Sequence, residues 1–191
     1  VLEGAMVDQW SAVRKKSDYL DTLLERLLVQ NKAKKADFLR SKELQEQYVQ
    51  EVFPELLDYL RRDTSCGIFL VLAKDGDATA EGNYSGFFLR DSDPTTKVET
   101  NSDFLLERGS KALARQAGIA LDSSWSTGFH FCGQGNRSAD DFFYTPYLLA
   151  LQHPDVDMAS LGYWATPFIL EDHVMDNHKM ITYSFPLVFD G

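Results

Sequence analysis

Apolar positions along the chain recur at helical spacing in the first third and at strand-like spacing towards the end. From Val7 to Arg40 the apolar residues fall near one stripe and charged residues occupy the other side, which predicts a long amphipathic helix. At a rise of about 1.5 Å per residue this helix would be about 50 Å long, longer than a compact domain of this size needs. Its stripe contains Trp10, Val13, Leu20, Leu24, Leu27 and Leu28.

A second stripe with i, i+4 spacing predicts another helix from Lys42 to Arg62. Pro54 lies inside it and predicts a kink near Gln50 or a break into two helices, because proline cannot donate the backbone hydrogen bond that the helix needs. The helical part of the chain therefore ends close to residue 62.

The apolar run from Cys66 to Ala73, closed by Asp75-Gly76, predicts a buried strand and a tight turn. The segment Tyr84 to Arg90 predicts its antiparallel partner. Possible capping residues at 101–103 precede a predicted helix from Phe104 to Gln116, which Gly118 would end.

Residues 120–139 show little periodicity and predict a long loop with one extended piece. Ser138 to Asp141 can cap a short helix that contains Phe142 to Leu148, with Pro146 near its first turn and His153-Pro154 after its end. Two aromatic and β-branched segments, Tyr163 to Leu170 and Lys179 to Phe189, flank a polar stretch and predict a hairpin. Pro167 indicates that its first strand is irregular or lies at an edge.

This order predicts an α+β fold with a long N-terminal helix and an antiparallel sheet flanked by helices. The 191 residues, 44% hydrophobic, are enough for one packed domain, with residues 1–62 as a helical stalk and 63–191 as the sheet domain. The net charge of −10 argues against nucleic acid as a partner, since phosphate binding needs a cationic face. No run of about 18 apolar residues exists to span a bilayer.

The final hairpin carries a resemblance to a known family. Tyr163-Trp164, Pro167-Phe168, the Ile181-Thr-Tyr-Ser184 strand and the closing Asp190-Gly191 resemble the late strands of the Cache superfamily. So do the strand 66–73, the segment 103–109, Ser124-Trp125 and the segment 141–147. The double Cache form, found on bacterial histidine kinases and diguanylate cyclases, is the most similar, and its fold is PAS-like.

The resemblance implies an extracytoplasmic small-molecule sensor of a bacterial transmembrane receptor. It implies a soluble fragment at the outer face of the cell membrane, whose full-length protein is membrane-anchored and could carry a kinase or cyclase output domain. Val1 in place of Met and the end at Gly191 fit such an excised part, which would lack the family's last strand and second module. The first helix would connect to the membrane and could form a homodimer.

A ligand pocket is expected between the sheet and the connection that precedes the last hairpin. Its candidate residues are aromatic side chains and acidic anchors, and each aromatic could instead be core packing. They are Trp125, Phe129, Asp141, Phe143, Tyr144, Tyr147, Tyr163, Trp164, Asp172 and Tyr183. Asp141 stands where amino-acid-sensing members carry an arginine, which argues against an α-amino acid bound through its carboxylate. Asp140-Asp141 could also be a helix cap.

The sequence offers little for catalysis, metal binding or a cofactor, and none of these is predicted. Ser85 lacks the nucleophile-elbow pattern and the glycines at 133 and 135 lack a phosphate-loop context. The acidic and histidine residues at 172–178 are polar turn residues without metal-ligand spacing. Cys66 and Cys132 permit one disulfide or two buried thiols.

Two rival functions remain open at this point. One is a protein-interaction module that uses the first helix, with the PAS-like part as scaffold; it predicts an exposed apolar stripe along residues 10–28 and a filled core. The other is a small hydrolase, which needs a nucleophile and a base that converge in space.

Overall fold

Helices precede the sheet along the chain, as the hydrophobic pattern predicts. The computed structural model describes residues 2–62, 65–73, 83–96, 100–131, 140–169 and 179–187. Its helices are α1 (Leu2–Asn31), α2 (Lys35–Arg40), α3 (Lys42–Arg62), α4 (Lys111–Ala117) and α5 (Asp141–Gln152), with a short 3-10 helix at Met158–Leu161. Its strands are β1 (Gly67–Leu72), β2 (Asn83–Asp91), β3 (Phe104–Arg108), β4 (Ala120–Ser126), β5 (Phe129–His130), β6 (Tyr163–Trp164), β7 (Phe168–Ile169), β8 (Lys179–Met180) and β9 (Tyr183–Ser184). The predicted α+β class is confirmed.

The predicted helix from 7 to 40 is two helices, because the chain turns at Lys32. This residue has a left-handed φ of 52°, and the Ala33 N–H donates to the Leu28 carbonyl at 2.9 Å, which closes the end of α1. The turn lets Phe38 of α2 be buried together with Leu28. Burial of both side chains in one core explains a helix end that no glycine or proline marks in the sequence.

Helix α3 has the predicted bounds and runs through Pro54 as one helix, so the alternative of a break is wrong. Its buried side chains pack between α1 and the sheet. The Tyr48 hydroxyl donates to the Leu20 carbonyl of α1 at 3.1 Å, and burial raises the pKa of that hydroxyl. Packing on both sides of α3 holds the helix across the proline.

The main sheet has strands β1 to β4 side by side in chain order, and β5 pairs with the first residues of β2. β1 and β2 are antiparallel, with Gly67 opposite Arg90 and Leu72 opposite Ser85, which confirms the first predicted strand pair. The pair β3–β4 is parallel, so the sheet is mixed and not purely antiparallel as predicted. The turn at Asp75-Gly76 lies outside the described residues.

The predicted helix from Phe104 to Gln116 is wrong in its first half, which is strand β3. Phe104 and Leu106 are buried while their neighbours are not, and pairing with β2 on one side and β4 on the other outweighs the helix propensity of this segment. Helix α4 begins only after Ser110, whose hydroxyl accepts from the Ala112 N–H, and Gly118 ends it as predicted with a left-handed φ of 66°.

The capping residues proposed for that helix have another role. The Asn101 side chain accepts hydrogen bonds from Arg61 of α3 and donates to the Ala117 carbonyl at the end of α4. Likewise, the first half of the loop predicted over 120–139 is mostly strand, because β4 and β5 lie there, and residues 132–139 lie outside the described residues. Helix α5 is confirmed, and it accommodates Pro146 in its interior.

The final hairpin is confirmed and is interrupted around Pro167. β6 pairs with β9, placing Tyr163 opposite Ser184, and β7 pairs with β8, placing Phe168 opposite Met180. Between the two pairs the Ala165 N–H still donates to the Thr182 carbonyl at 2.8 Å, and the strand pairing is interrupted around Pro167, as expected for a strand that contains proline.

One hydrophobic core joins the helices to one face of the main sheet. It is built from leucines of α1, the buried stripe of α3 and alternate residues of the strands. Its central side chains include Leu24, Leu27, Val52, Phe53, Leu60, Leu70, Phe87, Leu89 and Leu106. Strand alternation then places the intervening residues on the opposite face, where α5 and the hairpin lie.

Candidate functional site

Aromatic side chains cluster on the face of the sheet that α1 and α3 do not cover. Phe131, just after β5, lies at the centre: its ring stacks on Phe143 with centroids 4.5 Å apart and lies 4.8 Å from the ring of Tyr84 in β2. The Phe129 ring also stacks on Phe131, with centroids 5.8 Å apart, and Tyr144 completes the group at 6.2 Å. We call these residues, Tyr84, Phe129, Phe131, Phe143 and Tyr144, the aromatic cluster.

The cluster joins three of the sequence candidates and continues to the edge of the sheet. Phe142 reaches from α5 to Phe69 of β1, with ring centroids 5.3 Å apart. Ring contacts therefore join helix α5 to the sheet. Phe131 and Tyr84 were not among the sequence candidates, although the alternation of Phe129, His130 and Phe131 places both phenylalanines on one side of an extended segment.

Asp141, the first residue of α5, connects that helix to the hairpin. Its Oδ2 accepts hydrogen bonds from the Tyr163 hydroxyl at 2.9 Å, the Thr166 backbone N–H at 3.2 Å and the Thr166 hydroxyl at 3.1 Å. The bond to Asp141 raises the pKa of the Tyr163 hydroxyl. We call Asp141, Tyr163 and Thr166 the Asp141 clasp. Asp140 precedes α5 at the N-cap position, so Asp141 itself is not the cap.

A second aromatic contact stabilises the hairpin beside this clasp. Trp164 and Tyr183 are directly opposite each other on β6 and β9, with ring centroids 4.8 Å apart. The Tyr183 ring lies over Gly162, so closely that a Cβ at position 162 would be 1.9 Å from the hydroxyl oxygen. Ser184 donates from its hydroxyl to the Phe142 carbonyl and ties β9 to α5.

Three predicted site residues are not in this arrangement. Trp125 packs towards the helix-side core, where its indole N–H donates to the Gly109 carbonyl at 3.1 Å and Lys111 lies 4.5 Å above its ring. Trp125 therefore lies apart from the other candidate residues. Tyr147 is half-buried on α5 and, in contrast to Tyr144, has no ring contact within the described chain. Asp172 lies outside the described residues.

A buried ion triad was missed by the sequence reasoning. Arg90 of β2 lies between two carboxylates: its Nε is 2.6 Å from Glu107 of β3, and its Nη2 is 2.8 Å from Asp122 of β4. The three side chains are 8%, 13% and 10% exposed. Each of the three residues directly follows a leucine in its own strand. Strand pairing places these leucines, Leu89, Leu106 and Leu121, side by side across the sheet. The sequence holds no signal for this triad, because its members come from three separate strands and meet only through strand pairing.

The two carboxylates of the triad differ in their electrostatics. Burial raises the pKa of Glu107 above its usual 4.5, and Asp122 adds to the rise while Arg90 opposes it. Burial also acts to raise the pKa of Asp122, but hydrogen bonds from Ser124 and Arg90 outweigh it and hold that pKa below the usual 3.8. One arginine therefore faces an acid that resists ionisation and an acid that favours it.

Cys66 is a half-buried free thiol, which favours the thiol alternative over the disulfide that the two cysteines would permit. Its Sγ lies 3.9 Å from the Met180 Sδ of β8, and burial raises the pKa of the thiol. Cys132 lies outside the described residues. A thiol whose pKa is raised by burial contributes to packing and is a poor nucleophile.

Within the described ranges, histidine, cysteine and acidic side chains form no group able to hold a metal ion. No helix there is long and apolar enough to cross a membrane. No protein-family model, curated protein or solved structure matches the chain. The arrangement of the aromatic cluster and the Asp141 clasp is therefore the basis for any functional conclusion.

Proposed function

We propose that this chain is a small-molecule-sensing domain of a bacterial membrane receptor, similar to the Cache domains that face the outside of the cell. The observation that carries the proposal is the pairing of the aromatic cluster with the Asp141 clasp on the sheet face opposite the long helix. Rings provide broad apolar contact, and the carboxylate and hydroxyls provide a few oriented polar groups, which is the composition of ligand sites.

Most sequence candidates for the pocket come from distant parts of the chain and meet in this region. Phe129, Phe143 and Tyr144 share the aromatic cluster, while Asp141 and Tyr163 are hydrogen-bonded partners. Residues chosen from a family resemblance alone have no reason to converge unless the fold brings them together. Their convergence supports the sensor hypothesis over a random selection of aromatic residues.

A direct contact connects the segment that follows α5 to the long helix α1. The Arg14 guanidinium of α1 lies 3.3 Å from the carboxylate of Asp157, which precedes the 3-10 helix after α5. Ligand binding that moves α5 and the hairpin would therefore move a segment in contact with α1. Such a ligand shifts the receptor only if its affinity differs between the two positions of the helix.

The rival interaction module receives less support. Leu20, Leu24 and Leu27 of the apolar stripe are between 1% and 4% exposed, because α3 covers them within the chain. In this half of α1 these leucines are not available to a partner helix, and Val29, at 76% exposed, is a single apolar side chain outside their buried stripe. Trp10 and Tyr19, at 38% and 39% exposed, remain available, so a homodimer through the first half of α1 stays a prediction.

The proposal is tested by a thermal-shift screen of the chain against amines, amino acids, carboxylates, purines and sugars, with and without divalent cations. We expect one class to raise the melting temperature with increasing concentration, because a ligand that binds only the folded state stabilises it. Tyr144→Phe and Asp141→Asn should weaken that shift, whereas the matched neighbour change Asp140→Asn should leave it intact.

The result that would overturn the sensor hypothesis is a hit whose shift is unchanged in both site variants. A folded protein that responds to no compound class would favour the interaction module. Analytical ultracentrifugation of the wild type and of Trp10→Ala then tests that alternative directly, since loss of the exposed indole should weaken a dimer formed through α1.

A further inference from the structure

The two carboxylates of the Arg90–Glu107–Asp122 triad differ in how many groups bind them. Asp122 receives hydrogen bonds from Arg90 Nη2 at 2.8 Å and from the Ser124 backbone N–H at 2.7 Å. The Glu107 carboxylate, within the described part of the chain, has one close partner, an ion pair with Arg90 Nε at 2.6 Å. The better-satisfied carboxylate keeps its charge more easily.

The charges that surround Glu107 do not balance when both acids are ionised. Arg90 faces it from β2, Asp122 from β4, and Arg108 lies next to it on β3, where its guanidinium donates to the carbonyls of Glu107 and Ser124. The triad alone carries a net charge of −1 in a nearly buried place. Two like charges that share one partner titrate as a coupled pair, and the one with fewer donors takes up the first proton.

We propose that the triad is an acid-responsive lock on the β2–β3–β4 end of the sheet, in which Glu107 takes up a proton while Asp122 continues to hold Arg90. The proton comes from solvent and binds one carboxyl oxygen of Glu107. The other oxygen still faces Arg90, and the triad becomes neutral without losing a strand-to-strand contact. This inference does not depend on the proposed sensor function.

The expected effect on stability has a definite sign. Because the pKa of Glu107 in the folded protein lies above its usual 4.5, the folded state binds more protons than the unfolded chain when the pH falls through that pKa. The contribution of Glu107 to stability therefore increases on mild acidification. Asp122 acts in the opposite sense: its contribution is present above the usual 3.8 and is lost as the pH falls through its lower folded-state pKa.

The test is urea denaturation of the full chain at a series of pH values from neutrality to about 4.5, the usual pKa of the glutamate side chain. Glu107→Gln is a neutral mimic of the protonated acid and should raise the denaturation midpoint at neutral pH. Its difference from wild type should shrink towards zero as the pH approaches 4.5. Asp122→Asn should lower the midpoint at neutral pH, and the exposed Glu46→Gln should follow the wild type throughout.

A destabilised Glu107→Gln at neutral pH, or a difference from wild type that does not change with pH, overturns the proposal. A direct measurement avoids reliance on the variants: the carboxyl carbon resonance of Glu107, assigned through Glu107→Gln, is followed by NMR through the same pH series. A midpoint above 4.5 is expected, and one at or below 4.5 contradicts the lock.

Discussion

The two faces of the main sheet differ in what they are made of and in what covers them. The face towards α1 and α3 is aliphatic and closed, with Phe87, Leu89 and Leu106 each fully buried. The opposite face carries the aromatic cluster and the ion triad, and the side chains of α5 that cover it are mostly half-buried. A dry aliphatic layer maximises buried area, whereas rings and charges add oriented contacts that depend on geometry. Stability and candidate function thus lie on opposite sides of one sheet.

The largest difference between the two faces is expected when one phenylalanine on each face is truncated. Phe87→Ala removes a fully buried ring that contacts Phe53 of α3 and should cost about 3–5 kcal/mol. Phe143→Ala removes a half-buried ring and should cost roughly 1–2 kcal/mol. Urea denaturation measures both. Equal losses would mean that the aromatic face is core in the same sense as the aliphatic one.

Arg90→Met should cost about 3 kcal/mol, because it leaves two nearly buried carboxylates without their shared cation. Combining Arg90→Met with Glu107→Gln and Asp122→Asn in one triple variant removes the uncompensated charges and should recover part of this loss. If Arg90→Met is tolerated as well as an exposed substitution such as Lys42→Met, the triad does not hold the strands together. Denaturation midpoints at neutral pH decide between these outcomes.

Gly162→Ala should cost about 1 kcal/mol, because the added Cβ must displace the Tyr183 ring. The displacement should change the NMR signal of the Trp164 indole, whose ring contacts the Tyr183 ring with centroids 4.8 Å apart. Gly118→Ala is the matched control, since its Cβ would meet no atom within 4 Å and only its left-handed φ opposes the change. A Trp164 signal that moves equally in both variants would contradict the contact.

Asp141→Asn should have the smallest effect and should be visible mainly at Tyr163. The hydrogen bond to Asp141 raises the pKa of this hydroxyl from its usual 10.0, so the variant should bring it back towards that value. The stabilisation from this bond is complete below pH 10.0 and is lost as the pH rises through the folded-state pKa. NMR titration of the tyrosine ring measures the change, and Asp140→Asn should leave the titration as it is.

The predictions from sequence were most accurate where a segment has its own hydrophobic period. Helix α3, strands β1 and β2 and helix α5 follow their predicted positions because each buries a face that local spacing already defines. The segment 104–108 was misassigned because its residues favour a helix in isolation, and only pairing with strands on both sides makes it β3.

The candidate site shows the same limit at the level of single residues. The aromatic residues of 142–147 and the hairpin could be selected from composition and resemblance, and most of them meet. Trp125 could not be separated from them, because the side of the sheet to which a strand residue points depends on register. The partner Thr166, and all three members of the triad, became visible only through contacts between distant segments.

The amino-acid sequence was sufficient for the α+β class, for the helical N-terminal part and for the existence of a terminal hairpin. These follow from periodicity and turn residues, which act over a few neighbouring positions. The turn at Lys32, the parallel pairing of β3 with β4, and the buried triad required the assembled fold. Each depends on free energy gained between segments far apart in the chain, and no local pattern records that gain.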